Sequence, residues 1–276
     1  MKKLLYSTLI MMSLASCSKD SSPEDKCTGK TGGGGLVSLL ISTSDDVSMG
    51  LATVAQIESN PSEYPVLDSA QYKVAYGHIY RITQNILNSG QVYYKDQFVW
   101  KVRIIKRDDV LNAFCTPGGY IYVYTGLIKY LDNETQLAGV LGHEIAHADR
   151  RHSANQMVKQ YGITTLLSII TGGSQSQLTT LAANLLLLKY GRADETEADK
   201  FSVRYLKDTE YDGRGAKYFF EKLIATGQSG NTPAFLSTHP DPGDRVTNIT
   251  QTWECLGSKV GLTFDTRYAQ FKTSLP

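Results

Sequence analysis

Apolar positions recur at helical spacing along most of this chain, and only short stretches carry the composition of strands. Ser44 is placed to cap a helix from Asp45 to about Ser59, which Asn60-Pro61 ends; a long helix follows from about Asp68 to Asn88 and stops at Gly90. Phe98 to Ile105 and Tyr120 to Tyr124 are rich in β-branched and aromatic residues and read as strands. Further helices are expected near 133–151, 154–170, 176–190, 192–207, 214–227 and 243–252, with Gly172-Gly173-Ser174-Gln175 breaking two of them in a candidate loop over a cleft. The pattern predicts an α+β fold, mostly helical, around a small sheet.

The helix over 133–151 is the most structured of these. Asp132 or Asn133 can cap it, Glu134 suits its first turn, and Arg150, Arg151 and His152 suit its last. Leu137, Val140, Leu141, Ile145 and Ala148 form its apolar stripe. Gly139, Gly142 and Ala146 line the opposite flank, where a neighbouring element can approach closely. The same helix carries His143-Glu144-Ile145-Ala146-His147. Residues four apart on a helix lie about 40° apart around the axis, so both imidazoles leave one face. Glu144 sits about 100° from His143, beside such ligands rather than among them, where a general base belongs. Two histidines leave a zinc ion under-coordinated, so a third protein ligand is required.

Glu195 is the candidate for that ligand. It lies in Tyr190-Gly191-Arg192-Ala193-Asp194-Glu195-Thr196-Glu197-Ala198-Asp199, and it shares a helix face with Asp199. Asp199 could then accept the proton of a ligand histidine's free ring nitrogen and fix its orientation. An acidic, solvated helix start is the alternative and accounts well for Asp194 and for Glu197, which is rotated about 200° from Glu195. His78 and His152 have no such partner in the pattern and read as structural.

Taken in order, Asn112-Ala113-Phe114, Gly118-Gly119, the His-Glu-x-x-His helix, Glu195-x-x-x-Asp199, His239-Pro240 and Arg245 resemble peptidase family forty-eight of the metallopeptidases. That group includes the CAAX prenyl endopeptidase and HtpX-type proteases, with lipoprotein relatives in bacterial envelopes. The resemblance covers roughly residues 40–255. It implies a gluzincin-type domain with a small antiparallel or mixed sheet beside the zinc helix, and zinc-dependent endopeptidase activity with one zinc ion per chain. It implies His143, His147 and Glu195 as ligands and Glu144 as base. His239 would lie near the metal, stabilising the oxyanion or capping the ion at rest, with Asp199 and Arg245 behind the ligands. Asn112 and Ala113 would sit at a strand edge that pairs with extended substrate. Gly191 departs from the serine often found before the equivalent of Arg192.

The N-terminus changes the setting. Lys2 and Lys3 precede an apolar run from Leu4 to Leu14, too short for a stable span, and Leu14-Ala15-Ser16-Cys17 follows the cleavage-and-lipidation pattern. Residues 1–16 are thus expected to be a lipoprotein signal peptide and Cys17 the lipidated residue. Residues 17–35, ending in Thr31-Gly32-Gly33-Gly34-Gly35, read as a flexible tether, leaving 36–276 as the peptidase domain. No later stretch reaches 18 apolar residues. The expected location is a bacterial envelope, on the outer membrane facing the periplasm or displayed at the surface. Cys27, Cys115 and Cys255 allow at most one intramolecular disulfide, and Cys27 with Cys255 would staple the tether to the C-terminal region. With 28 basic against 27 acidic residues the chain carries no signal for nucleic acid. By resemblance the partners are unfolded or misassembled envelope proteins. The rival readings are a zinc-binding, chaperone-like assembly factor and a structural lipoprotein with a lapsed site; the intact Glu144 weighs against the latter, since coordination alone does not need it.

Overall fold

Local sequence signals set most of the boundaries in the computed structural model, which describes residues 22–29, 35–226, 234–239 and 242–276. Residues 1–16 and Cys17 lie outside that range. The helices α1 (Pro23–Thr28), α2 (Gly35–Leu40), α3 (Thr43–Glu58) and α4 (Lys73–Leu87) precede a sheet of β1 (Lys101–Ile105), β2 (Ala113–Thr116) and β3 (Tyr120–Tyr124). After it come α5 (Thr125–Tyr130), α6 (Glu134–Asp149), α7 (His152–Tyr161), α8 (Ile163–Gly172), α9 (Gln175–Leu186) and α10 (Arg192–Leu206). The chain closes with α11 (Gly215–Ala225), α12 (Ala234–Thr238), α13 (Pro242–Cys255) and α14 (Asp265–Thr273).

Several boundaries move for identifiable reasons. Ser42, not Ser44, caps α3, because its hydroxyl accepts from Asp45 N while the Asp45 carboxylate accepts from Ser42 N. Helix α4 starts late because Leu67 N is drawn to Ile104 O beside the sheet. Trp100, at φ 46°, ends the regular strand that the composition of 98–105 suggested. The single helix expected over 154–170 is two, α7 and α8, broken where Gly162 adopts φ +73°.

The sheet is mixed, in the order β1-β3-β2. Strand β3, buried throughout, pairs parallel with β1 and antiparallel with β2, so β2 is left as an edge. Helix α6 packs beneath β2 and is buried along its whole length. Its start is fixed electrostatically: the fully buried Glu134 accepts from Arg81, Arg267 and the Tyr211 hydroxyl, tying together α4, α14 and the loop after α10.

On its small-residue flank α6 meets α10 and α11 closely, as the glycines there require. A Cβ added at Gly139 would lie 2.0 Å from Ala216 N, a backbone atom that cannot step aside. Gly139→Ala is therefore expected to lower unfolding free energy by about 2–3 kcal/mol despite Ala's better helix propensity. A urea melt with an unchanged midpoint would show the two helices are not held this closely.

The tether expected over 17–35 needs correction at residues 22–29. Pro23–Thr28 forms a capped helix docked on α10, where Arg204 donates to Asp25 and Lys207 to Glu24. Cys27 is joined to Cys255 of α13, while Cys115 is buried and free. The charged residues of this polar stretch are instead spent on these pairs. No helix among the described residues is long and apolar enough to cross a membrane.

Candidate metal centre

Asn133, whose side chain accepts from Gln136 N, starts α6 in the register that turns His143 and His147 to one face. Their Nε2 atoms approach to 2.9 Å. Helix α10, begun at Gly191, brings Glu195 across from them: Oε2 lies 3.4 Å from His143 Nε2 and Oε1 3.4 Å from His147 Nε2. His239, stacked on Phe235 at the end of α12, places Nδ1 3.3 Å from His143 Nε2 and 3.0 Å from Glu195 Oε1. All four side chains are at most 2% exposed, and their donor atoms lie within 4.8 Å of one another.

This donor set fits zinc. Tetrahedral bonds of about 2.0–2.1 Å put neighbouring donors roughly 3.4 Å apart, and the observed separations of 2.9–3.4 Å reach that edge from slightly below. Nitrogen and carboxylate donors are also the types zinc takes.

Behind His143, Asp199 Oδ1 lies 2.9 Å from Nδ1. Arg245 of α13 grips that carboxylate with Nη2 on Oδ1 at 2.6 Å and Nε on Oδ2 at 2.7 Å, and sets Nη1 2.9 Å from Glu195 Oε2. Burial would raise the carboxyls of Asp199 and Glu195, but Arg245 outweighs it for Asp199 and the histidines for Glu195, so both are held low. Glu144 is different. It is fully buried, neither carboxylate oxygen has a hydrogen-bond partner among the described residues, and burial pushes its carboxyl up. His239 Nε2, likewise without a hydrogen-bond partner among the described residues, is 3.6 Å from Glu144 Oε1.

The sequence of residues 76–253 matches Peptidase family M48. The chain belongs to that family. Among its relatives, Mitochondrial metalloendopeptidase OMA1 of Schizosaccharomyces pombe is 34% identical over 54% of this chain and 45% of its own. Beta-barrel assembly-enhancing protease of Escherichia coli K12 is 31% identical over 50% of this chain and 31% of its own. Metalloprotease YcaL of the same bacterium is 30% identical over 75% of this chain and 80% of its own. The chain thus spans less than half the length of the first two. Family M48 is zinc-dependent, and the four-residue cluster can hold one such ion.

Within the family frame, Asn112 and Ala113 lie where β2 begins, at the edge of the sheet. Asn112 O accepts from Tyr124 N, the Asn112 side chain accepts from Ala113 N, and Ala113 pairs with Val123. Asn112, Phe114, Cys115, Leu185, Tyr190 and His239 are among the residues that line a common cleft. Its volume, about 60 Å³, admits a few waters but no peptide.

Three neighbours of the site were not legible as such. Tyr190 stacks on His147 at 3.8 Å and shares a hydrogen bond with Ser153; nothing in its sequence context marks it. His152, read as structural, lies with Nδ1 2.9 Å from His147 Nδ1, and its Nε2 is 2.9 Å from Glu197, read as solvated. On a continuous helix residue 152 would point about 140° away from residue 147. The left-handed turn at Arg151, φ 58°, folds it back instead.

Proposed function

We propose that this protein is a zinc metalloendopeptidase of the bacterial envelope. The observation that carries the reading is Glu144: a buried carboxyl with no hydrogen-bond partner among the described residues, set beside a convergent two-histidine, one-glutamate donor set. When bound, zinc supplies a Lewis acid that polarises the scissile carbonyl and acidifies water. Glu144, raised by burial, takes the proton from the attacking water and delivers it to the leaving amine. His143, His147 and Glu195 would hold the ion, with Asp199 and Arg245 fixing His143. His239, whose Nδ1 stands in the donor cluster, would either cap the ion at rest or stabilise developing oxyanion charge. Extended substrate pairs with the β2 edge at Asn112 and Ala113.

For substrates, unfolded or misassembled envelope proteins fit best, in keeping with the name of the Escherichia coli relative, Beta-barrel assembly-enhancing protease. Cys17 as a lipid anchor would hold the enzyme on the outer membrane facing the periplasm, or at the surface. The purified protein is expected to carry one zinc per chain and to cleave a reduced, unfolded protein. A chelator should abolish cleavage and added zinc restore it. One zinc per chain with no cleavage of any unfolded protein would instead favour a chaperone-like clamp; absence of zinc binding would overturn both.

A further inference from the structure

His143 and His147 are both backed by carboxylates, but by different routes. Asp199 touches His143 directly, whereas His147 is reached through a second histidine. His152 is 2% exposed, its ring 4.9 Å from that of His147 and steeply inclined to it. Beyond it, Glu197 Oε2 lies 2.9 Å from His152 Nε2, while Glu197 Oε1 accepts from Arg150 Nε and Nη2 at 3.0 and 2.7 Å. Arg150 in turn lies over the Phe201 ring at 4.3 Å.

Valence fixes the direction of every bond in this chain. A histidine that gives its Nε2 lone pair to a metal keeps its one proton on Nδ1. His147 must therefore donate from Nδ1, and His152 Nδ1, which faces it, must accept. The proton of a neutral His152 then sits on Nε2, pointing at Glu197, which as a carboxylate can only accept. The reverse arrangement fails at both ends. It places a proton on His147 Nε2 among the donor atoms and turns a bare ring nitrogen towards a carboxylate.

We propose that His152 is a positioning residue for the metal centre, relaying the orienting effect of Glu197 to His147 so that its Nε2 lone pair faces the ion. The inference rests on the zinc reading of the site and adds to it two residues that touch no metal. Residues that orient a ligand histidine through its free nitrogen alter metal affinity by about 10–100-fold when removed. The relay also explains why the chain reverses at Arg151, since a straight α6 would carry residue 152 away from residue 147.

The test is zinc affinity, measured by competition with a chromophoric chelator on the full mature chain. Wild type, His152→Ala, Glu197→Gln and the double variant are compared. His152→Ala should weaken zinc binding about 10–100-fold. Glu197→Gln, on the exposed side of the relay, should weaken it several-fold. The double variant should be no weaker than His152→Ala, because both changes cut one chain. ¹⁵N spectra of the zinc-loaded protein should show His152 protonated on Nε2 in wild type. Unchanged zinc affinity in both single variants, or a proton on His152 Nδ1, would overturn the relay. If His152→Ala does not fold, Glu197→Gln and the spectra still decide. A wild type that binds no zinc would fail the metal reading itself, a separate result.

Discussion

Glu144→Gln is expected to reduce cleavage of an unfolded substrate by about 10²–10⁴-fold, the range removed with a positioned general base. Zinc content should not change. Glu144 stands outside the cluster formed by His143, His147, Glu195 and His239. Stability should hold or rise slightly, because burial penalises the charged carboxylate and no hydrogen-bond partner among the described residues is lost. Single-turnover cleavage, zinc analysis and a thermal melt on the same preparations separate the three quantities. Activity within tenfold of wild type would mean that the proton is taken elsewhere. Loss of zinc along with activity would mean that Glu144 supports the ion rather than the chemistry.

The second large effect is on stability. Arg245→Met is expected to cost about 3–5 kcal/mol, the usual penalty for stripping the partner from a buried charge. One guanidinium, 3% exposed, serves both Asp199 and Glu195, each at most 2% exposed. Its removal leaves two carboxylates facing one another across His143. Methionine preserves much of the packing against the Phe220 ring, over which the guanidinium lies at 4.0 Å. The loss should therefore report charge rather than a cavity. Denaturant unfolding in chelator gives the number, and a loss under about 1 kcal/mol would show that the carboxylates have other compensation. Zinc added back should recover part of it, since the ion replaces positive charge beside Glu195.

What could be read from the sequence follows from how local each constraint is. The motif on α6 and the Asn133 cap are set within a few residues, and the small flank at Gly139 leaves room that the structure fills with the distant Ala216. The pairing of Glu195 with Asp199 was legible because helical spacing alone puts them on one face. The spacing of Arg245 and His239 was uninformative, and only resemblance drew them in. Gly162 was hidden because apolar residues continue on both sides of it, so composition showed one helix where a positive φ makes two. His152 was misread for a related reason: one left-handed residue, Arg151, redirects everything after it. The docking of α1 depends on ion pairs between residues near 25 and residues near 205, a separation at which no pattern in the chain points from one partner to the other.

The bond between Cys27 and Cys255 turns most of the protein into a closed covalent loop. Both helices that carry the metal-site carboxylate and histidines, α6 and α10, lie inside it, and so does Arg245. A single peptide-bond break within the loop therefore releases no fragment. The two pieces stay in one particle, with the cut ends free to re-engage their old contacts. A break on the amino side of Cys27 has the opposite consequence, freeing the residues before the cut while leaving the loop whole. The same disulfide therefore divides the chain into a span where one cut leaves a single covalent particle and the segments outside it, where a cut frees a piece.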